Sequence, residues 1–349
     1  MILVLTSAGD EHAERVVEAL AGTDVTVFDP ADFPAAATLE IGHPGDGSTV
    51  RTLGRDGRRL VLDELTAIWY RRPGNPVAHP GTVARDHVEE ECRVLAESLW
   101  DALGCLKVPA SRPVIDRAAR KPYQLEVARR LGFDLPATLI TNDPESFLDF
   151  YGRHEGRVIT KPVHGNQLEA GGERFGRFAA HVTPADLGHA DALRLCPVIV
   201  QAYVPKRVEV RVTVVGGELF AAEIHSQVSN HTRYDWRHYD PGATPVLPHD
   251  LPDEVSRRCL ELVERLGLCY GAIDLIHTPD GRHVFLEINP NGQFRWIEEA
   301  TGLPISAAIG ELLKSGELLK SGELLKSGEL LKSGDPLKTG APRKSGVRR

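Results

Sequence analysis

The chain has 349 residues, 42% of them apolar and 26% charged, and a net charge of −8. That length suggests two or three globular domains, and the acidic balance argues against nucleic acid as the main partner. No apolar run approaches the roughly 18 residues that a membrane span needs. Five dispersed cysteines without a CxxC pair argue against a disulfide framework or a zinc site and for a reducing cytoplasm.

The first segment reads as a small α/β unit. Residues 1–6 are apolar but too short for a secretory signal, so Ile2-Leu3-Val4-Leu5 is expected to be a strand. Residues 11–20 have helical spacing, and Val25-Thr26-Val27-Phe28 is a second strand. Asp46-Gly47 and Asp56-Gly57 mark hairpin turns. Ala67-Ile68-Trp69-Tyr70 is a strand ending at Arg71-Arg72-Pro73-Gly74, and a helix is expected over residues 83–103. The Gly9-Asp10 turn is not a GxGxxG fingerprint, which argues against dinucleotide binding.

A second unit starts near Pro113, with a helix over residues 121–131 closed by Gly132. Strands follow at 135–142, 158–162 and 198–205, and the polar, glycine-bearing stretch 164–172 is expected to be a flexible loop. The third unit begins near Lys206. It holds a hairpin turning at Gly216-Gly217, a helix over 253–266, and strands at 270–276 and 283–289 joined by Pro279-Asp280-Gly281. From Gly310 the phrase GELLKS occurs four times. A six-residue period keeps no constant helical face, and each glycine costs a helix about 1 kcal/mol. A helix end at Leu312-Leu313 and a disordered tail are therefore expected.

Chemistry concentrates late in the chain. Asp274 interrupts an apolar strand, and Glu287 and Asn289 stand two apart on the next, hence on one face. Two carboxylates and an amide oxygen on one sheet face make a hard oxygen site suited to Mg²⁺ and phosphates, the alternative being an ordinary exposed face. Lys121 and Lys161 are phosphate candidates against the reading of plain surface lysines, and Lys161 also precedes the glycine-bearing loop. Gln201, Ala202, Tyr203 and Val204 are an adenine slot or a plain core strand. Glu209 and Arg211 share a strand face; a carboxylate suits ribose hydroxyls and a guanidinium suits phosphate. Arg71 and Arg72 are either carboxylate-binding cations or a salt-bridged strand end. Asp235 and Arg237 lie in a polar, aromatic loop suited to peptide recognition or simply solvated. His225, His231 and His238 lack metal-ligand spacing.

Taken together, Lys121, Thr160-Lys161-Pro162, the run Gln201 to Lys206, Glu209-x-Arg211, Asp274 and Glu287-x-Asn289-Pro290 resemble the ATP-grasp superfamily in order and spacing over about residues 1–310. The resemblance implies a mixed α/β (α+β) fold: a pre-ATP-grasp domain at 1–112, a central lobe at 113–205, a C-terminal lobe with the metal site at 206–313, and the repeat tail at 314–349. It implies that Lys121 and Lys161 contact phosphates, that Gln201, Ala202, Tyr203 and Val204 hold adenine, and that Glu209 holds ribose. By the same resemblance Arg211 stabilises the transferring phosphoryl group, and Asp274, Glu287 and Asn289 hold two Mg²⁺. Ala202 stands where an acidic residue is common, a departure of little weight because that contact uses backbone atoms.

A narrower resemblance, carried by Ile68-Trp69-Tyr70-Arg71-Arg72-Pro73, the run Lys206 to Gly216, Asp235-Trp236-Arg237 and Asn289-Pro290-Asn291-Gly292-Gln293-Phe294, is to the microviridin-type maturases that make graspetides. It implies ATP-dependent activation of Asp or Glu side chains of a ribosomal precursor peptide as acyl phosphates. These are then joined to Ser or Thr hydroxyls as ω-esters, or to Lys amines as ω-amides. Arg71, Arg72, Asp235 and Arg237 would face that peptide. The rivals are a RimK-like ligase of amino acids and a kinase on the same fold. The expected partner is the precursor peptide, with no nucleic acid or membrane; a homodimer stays open. Truncation beyond about Leu319 is expected to leave melting temperature and ligation rate unchanged, because the tail has no apolar face to offset its ordering entropy. A loss of several degrees or of activity on truncation would show that the repeats pack or bind.

Overall fold

The computed structural model describes residues 1–165, 167–170, 173–228 and 244–317. The chain opens with β1 (Ile2–Thr6), α1 (Glu11–Ala19) and β2 (Val25–Phe28). A three-stranded antiparallel sheet follows: β3 (Ala37–Gly42), β4 (Val50–Arg55) and β5 (Arg58–Val61), turning at the Asp-Gly pairs the sequence marks. Next come β6 (Ala67–Arg72), α2 (Arg85–Ala102) and β7 (Leu106–Val108). The parallel sheet β2-β1-β6-β7 is apolar along β1 and most of β6, as strands buried on both faces must be.

The middle of the chain carries α3 (Arg112–Ala118), α4 (Lys121–Arg130), β8 (Thr138–Thr141), α5 (Pro144–Arg153) and β9 (Val158–Lys161). Then come β10 (Gln167–Ala170), β11 (Glu173–Gly176), β12 (Ala180–His181), the single turn α6 (Pro184–Leu187) and β13 (Val198–Ala202). Strands β12-β9-β13-β8 form one antiparallel sheet. The stretch expected to be a loop instead contributes β10, which pairs with β11 in a ribbon; its polarity misled because a two-stranded ribbon needs no buried face.

The last part contains β14 (Val208–Val215), β15 (Glu218–Ile224), β16 (Val246–Pro248), α7 (Asp253–Arg265), β17 (Tyr270–His277) and β18 (His283–Asn289), then α8 (Arg295–Thr301) and α9 (Ile305–Ser315). Its sheet runs β16-β15-β14-β17-β18. Asp235, Arg237, residues 229–243 generally and the tail from 318 lie outside the described residues. Among the described residues no helix is long and apolar enough to cross a membrane.

Packing groups these elements differently from chain order. Leu3, Leu5 and Ile68 of the first sheet share a core with Val208, Val210 and Val212 of β14 and with Leu262 of α7. Helices α3 and α4, which the sequence assigns to the middle unit, bury Ile115, Ala118 and Ala128 in that same core. Helix α9 returns to the first unit, burying Ile309, Leu312 and Leu313 beside Val16 and Val4. The sheet of β8, β9 and β13 keeps a separate small core around Phe147, Phe150 and Val200.

Two ionisable groups at the start of α1 tie the first unit to the last. Asp10 caps the helix by accepting from the His12 amide at 3.0 Å, and pairs with Arg71 at 3.2 Å. Burial alone would raise its pKa; Arg71, the Thr6 hydroxyl and that amide hold it below the usual carboxylate value. His12 accepts the Arg295 amide on Nδ1 at 3.2 Å, at the opening of α8, so its ring must be unprotonated there. Burial, then the charge of Arg71, pushes its pKa down to about 4. A depressed histidine stabilises the fold above its unfolded value of about 6.5 and loses that contribution as pH falls toward 4. We expect stability to decline across that window by up to about 3 kcal/mol, measured by urea unfolding, and His12→Asn to flatten the decline. An equal decline in the variant would assign it to other groups.

Candidate active site

The hairpin of β17 and β18 supplies an acidic centre. Asp274 pairs directly opposite Glu287, and Ala272 opposite Asn289. The side chains converge, with Asn289 Nδ2 donating to Asp274 Oδ2 at 3.2 Å. Asp274 is 8% and Glu287 6% exposed. Adjacent buried carboxylates repel and need nearby positive charge. Arg211 lies across from Asp274 on β14 and donates from Nη1 to Oδ1 at 2.7 Å. Lys121, at the opening of α4, sits 3.4 Å from Glu287 Oε2 and donates to the Pro162 carbonyl at 3.1 Å.

Beside this centre the turn Asn289-Pro290-Asn291-Gly292-Gln293 is held from several directions. Arg71 donates to the Asn291 carbonyl at 2.8 Å, and the Tyr270 hydroxyl to the Gly292 carbonyl at 2.7 Å. Burial pushes the Tyr270 pKa up to about 12, so it remains a neutral donor. A Cβ on Gly292 would lie 2.3 Å from Ala272 Cβ, so only glycine lets the turn approach the sheet.

The centre lies in a cleft with two ends. One end is apolar, walled by Ile159, Ile276, Leu286 and the strand end Gln201, Ala202, Tyr203 and Val204. The amides of Ala202 and Tyr203 already donate to the Ala137 and Arg157 carbonyls, each at 2.9 Å. Gln201 is buried; its Nε2 donates to Thr138 Oγ1 at 2.9 Å, while Oε1 has no partner among the described residues. Glu209, at the edge of this end, accepts from Lys206 at 2.7 Å and from Ser226 at 2.9 Å on Oε1. The other end is cationic, lined by Arg72, Lys121, Arg177 and Arg211 together with His164. Lys161, Asp274 and Glu287 border both ends.

Most residues singled out from sequence thus meet in one cleft. Arg71 does not line it: adjacent strand residues point to opposite faces, so Arg72 faces the cleft while Arg71 is 2% exposed beside Asp10. Asp235 and Arg237 fall outside the described residues. Sequence reasoning did not single out Arg177, His164 or Trp296 as cleft residues. The glycine-bearing stretch flanked by His164 and Arg177 was the available signal for those two, whereas nothing local marks Trp296.

A phosphate-rich nucleotide with divalent cations fits this donor set. The apolar slot has a buried, unpartnered acceptor at Gln201 Oε1, the opposite end is cationic, and hard oxygen donors sit at the junction.

Comparison with known proteins agrees with that chemistry. Residues 1–112 match the family model for the MvdD pre-ATP grasp domain. The macrocyclase MdnC from Microcystis aeruginosa MRC, solved with precursor peptide MdnA, is 33% identical with a TM-score of 0.80, over 90% of this chain and 99% of that one. A RiPP-associated ATP-grasp ligase from Chryseobacterium gregarium, in complex with ADP and a leader and core peptide, is 29% identical with a TM-score of 0.83, over 91% and 99%. A probable alpha-L-glutamate ligase of Klebsiella pneumoniae (strain 342) is 27% identical over 198 residues, 55% of this chain and 62% of that ligase. The chain therefore matches less than two thirds of the length of that curated relative.

Gly292→Ala tests the turn. Overpacking of this size costs about 1–3 kcal/mol, which displacement of the turn can relieve. We expect ATP turnover to fall at least tenfold while the chain stays folded by circular dichroism. Near wild-type turnover would show that the turn's approach to the sheet is not needed.

Proposed function

We propose that this chain, which belongs to the family of ATP-grasp peptide macrocyclases, closes rings in a ribosomally made precursor peptide by activating its Asp or Glu side chains with ATP. One observation carries the reading: a single cleft joins an apolar slot to a cationic end across the buried carboxylates Asp274 and Glu287. In this reading the adenine lies against Ile159, Ile276 and Leu286. With the Ala202 and Tyr203 amides engaged, the donor to the ring would fall to Val204, and the unpartnered Gln201 Oε1 would accept. Glu209 holds the ribose.

Asp274, Glu287 and Asn289 would hold two Mg²⁺, which neutralise phosphate charge and orient the γ-phosphoryl group. Arg211 and Lys121, which compensate the carboxylates in the structure described here, are then released to face phosphate oxygens, alongside Lys161. A peptide carboxylate oxygen attacks the γ-phosphorus as the bond to the β-phosphate oxygen breaks, giving an acyl phosphate and ADP. A Ser or Thr hydroxyl, or a Lys amine, attacks the acyl carbon and inorganic phosphate leaves. The ribbon of β10 and β11, which lies in the chain between the cleft residues Gly165 and Arg177, would exclude water from the acyl phosphate. The five dispersed cysteines support a reducing cytoplasm as the compartment.

The test is incubation of the chain with Mg-ATP and a Thr-, Asp- and Glu-rich precursor peptide. The expected product has lost the mass of one water per ring, with one ADP released per ring. Glutamate addition in the absence of peptide would support the glutamate-ligase alternative, and a stable phosphopeptide would support a kinase. Three arginines should separate. Arg72→Ala should weaken peptide binding roughly ten- to a hundredfold without changing nucleotide affinity. Arg211→Ala should slow phosphoryl transfer itself. Arg71→Ala should lower stability by about 3–5 kcal/mol, because Asp10 is left buried and unpaired. Equal effects on nucleotide and peptide from Arg72→Ala would overturn its peptide role.

A further inference from the structure

On the face of the C-terminal sheet away from the cleft, three imidazoles meet. His277, at the end of β17, pairs with His283, at the start of β18, and His249 follows β16. Asp274 and Ile276 line the cleft, so alternation along β17 turns His277 to the opposite face. One ring nitrogen from each of the three lies within 4.8 Å of the others. The His277 and His283 rings stack at 4.6 Å with 8° between their planes, and His249 Nε2 is 3.5 Å from His283 Nε2. His249 Nδ1 lies 2.9 Å from Glu223 Oε2. The Glu223 carboxylate is held below its usual pKa by His249 and His225 against the opposing effect of burial, so it accepts and Nδ1 donates. With Nδ1 turned to Glu223, Nε2 is the His249 nitrogen that faces His283.

We infer that His249, His277 and His283 form a binding site for a first-row divalent metal ion, Zn²⁺ being the best fit, with Glu223 orienting His249 and water in the fourth position. Zinc–nitrogen bonds of about 2.0–2.1 Å in a tetrahedron place ligand nitrogens about 3.3–3.4 Å apart, close to the 3.5 Å between His249 and His283. That separation is long for an imidazole–imidazole hydrogen bond. Burial, then the neighbouring histidines, pushes the His283 pKa down to about 4, and burial with His249 lowers that of His277.

The two faces of one sheet would then sort metals by hardness. Carboxylate and amide oxygens in front suit Mg²⁺, and imidazoles behind suit Zn²⁺. A bound ion would bolt the segment between β16 and α7 to the hairpin that carries Asp274 and Glu287. Sequence spacing hides the site, since its ligands come from three separate strand ends.

The experiment is Co²⁺ titration of the tag-free, chelator-treated full chain with Mg-ADP saturating the cleft. We expect one equivalent to bind with the intense visible bands of tetrahedral cobalt, displaced by Zn²⁺ and not by Mg²⁺. Zn²⁺ should also raise the melting temperature by several degrees. His283→Gln and His277→Ala should abolish both effects and keep Mg-ADP affinity. Absence of the tetrahedral bands in the wild-type chain overturns the proposal even if a variant fails to fold. Retention of the bands in both variants overturns it too.

Discussion

Two carboxylates side by side in the interior of a sheet are the constraint on which the molecule turns. Asp274 and Glu287 face each other across a hairpin, each almost inaccessible to solvent. Left alone, one of them would take up a proton to escape the other. The fold instead brings a cation to each: Arg211 from the adjacent strand and Lys121 from a helix opening. A site assembled this way is ready to exchange partners. In the proposed reading, divalent cations would take over the carboxylates, and the displaced guanidinium and ammonium would face the phosphates. The charges that compensate the two carboxylates would then serve the transfer.

The rest of the architecture keeps that centre in register. The first parallel sheet and the C-terminal sheet share buried side chains, so the wall bearing Asp274, Glu287 and Arg211 is continuous with the N-terminal unit. Arg71 shows the dependence in one residue. It starts in the first unit, neutralises Asp10 there, and hydrogen-bonds the carbonyl of Asn291 in the turn beside the acidic centre. The opposite wall, carrying Lys161 and the strand ending at Ala202, rests on its own smaller core. A cleft between a heavily braced wall and a lightly attached one is suited to opening for a peptide and a nucleotide and closing over them.

Much of this was legible in the amino-acid sequence. The strand at Ile2-Leu3-Val4-Leu5, the helix over residues 11–20, the hairpin turns at Asp46-Gly47 and Asp56-Gly57, and the paired strands bearing Asp274 and Glu287 follow from local chemistry. Period-two alternation, helix caps and Asp-Gly turns act over a few residues and need no partner to be recognised. The acidic pair on one sheet face was readable for the same reason, because a carboxylate amid buried apolar residues marks itself.

Tertiary structure decided what those signals do not contain. Arg71 and Arg72 are identical as residues, and only packing determines which is an internal ion-pair partner and which lines the cleft. Helices α3 and α4 follow the first unit in the chain yet complete a core shared with the last, because apolar faces pack wherever complementary area is offered. The polar stretch after Lys161 forms a ribbon through backbone pairing, which its side chains do not advertise. His249, His277 and His283 come from separate stretches of the chain and converge only in the folded molecule. Local sequence determined the elements and the face each side chain occupies, since those depend on short-range sterics and hydrogen bonding. Which faces meet depends on long-range burial summed over the whole chain, and no short stretch of residues carries that sum.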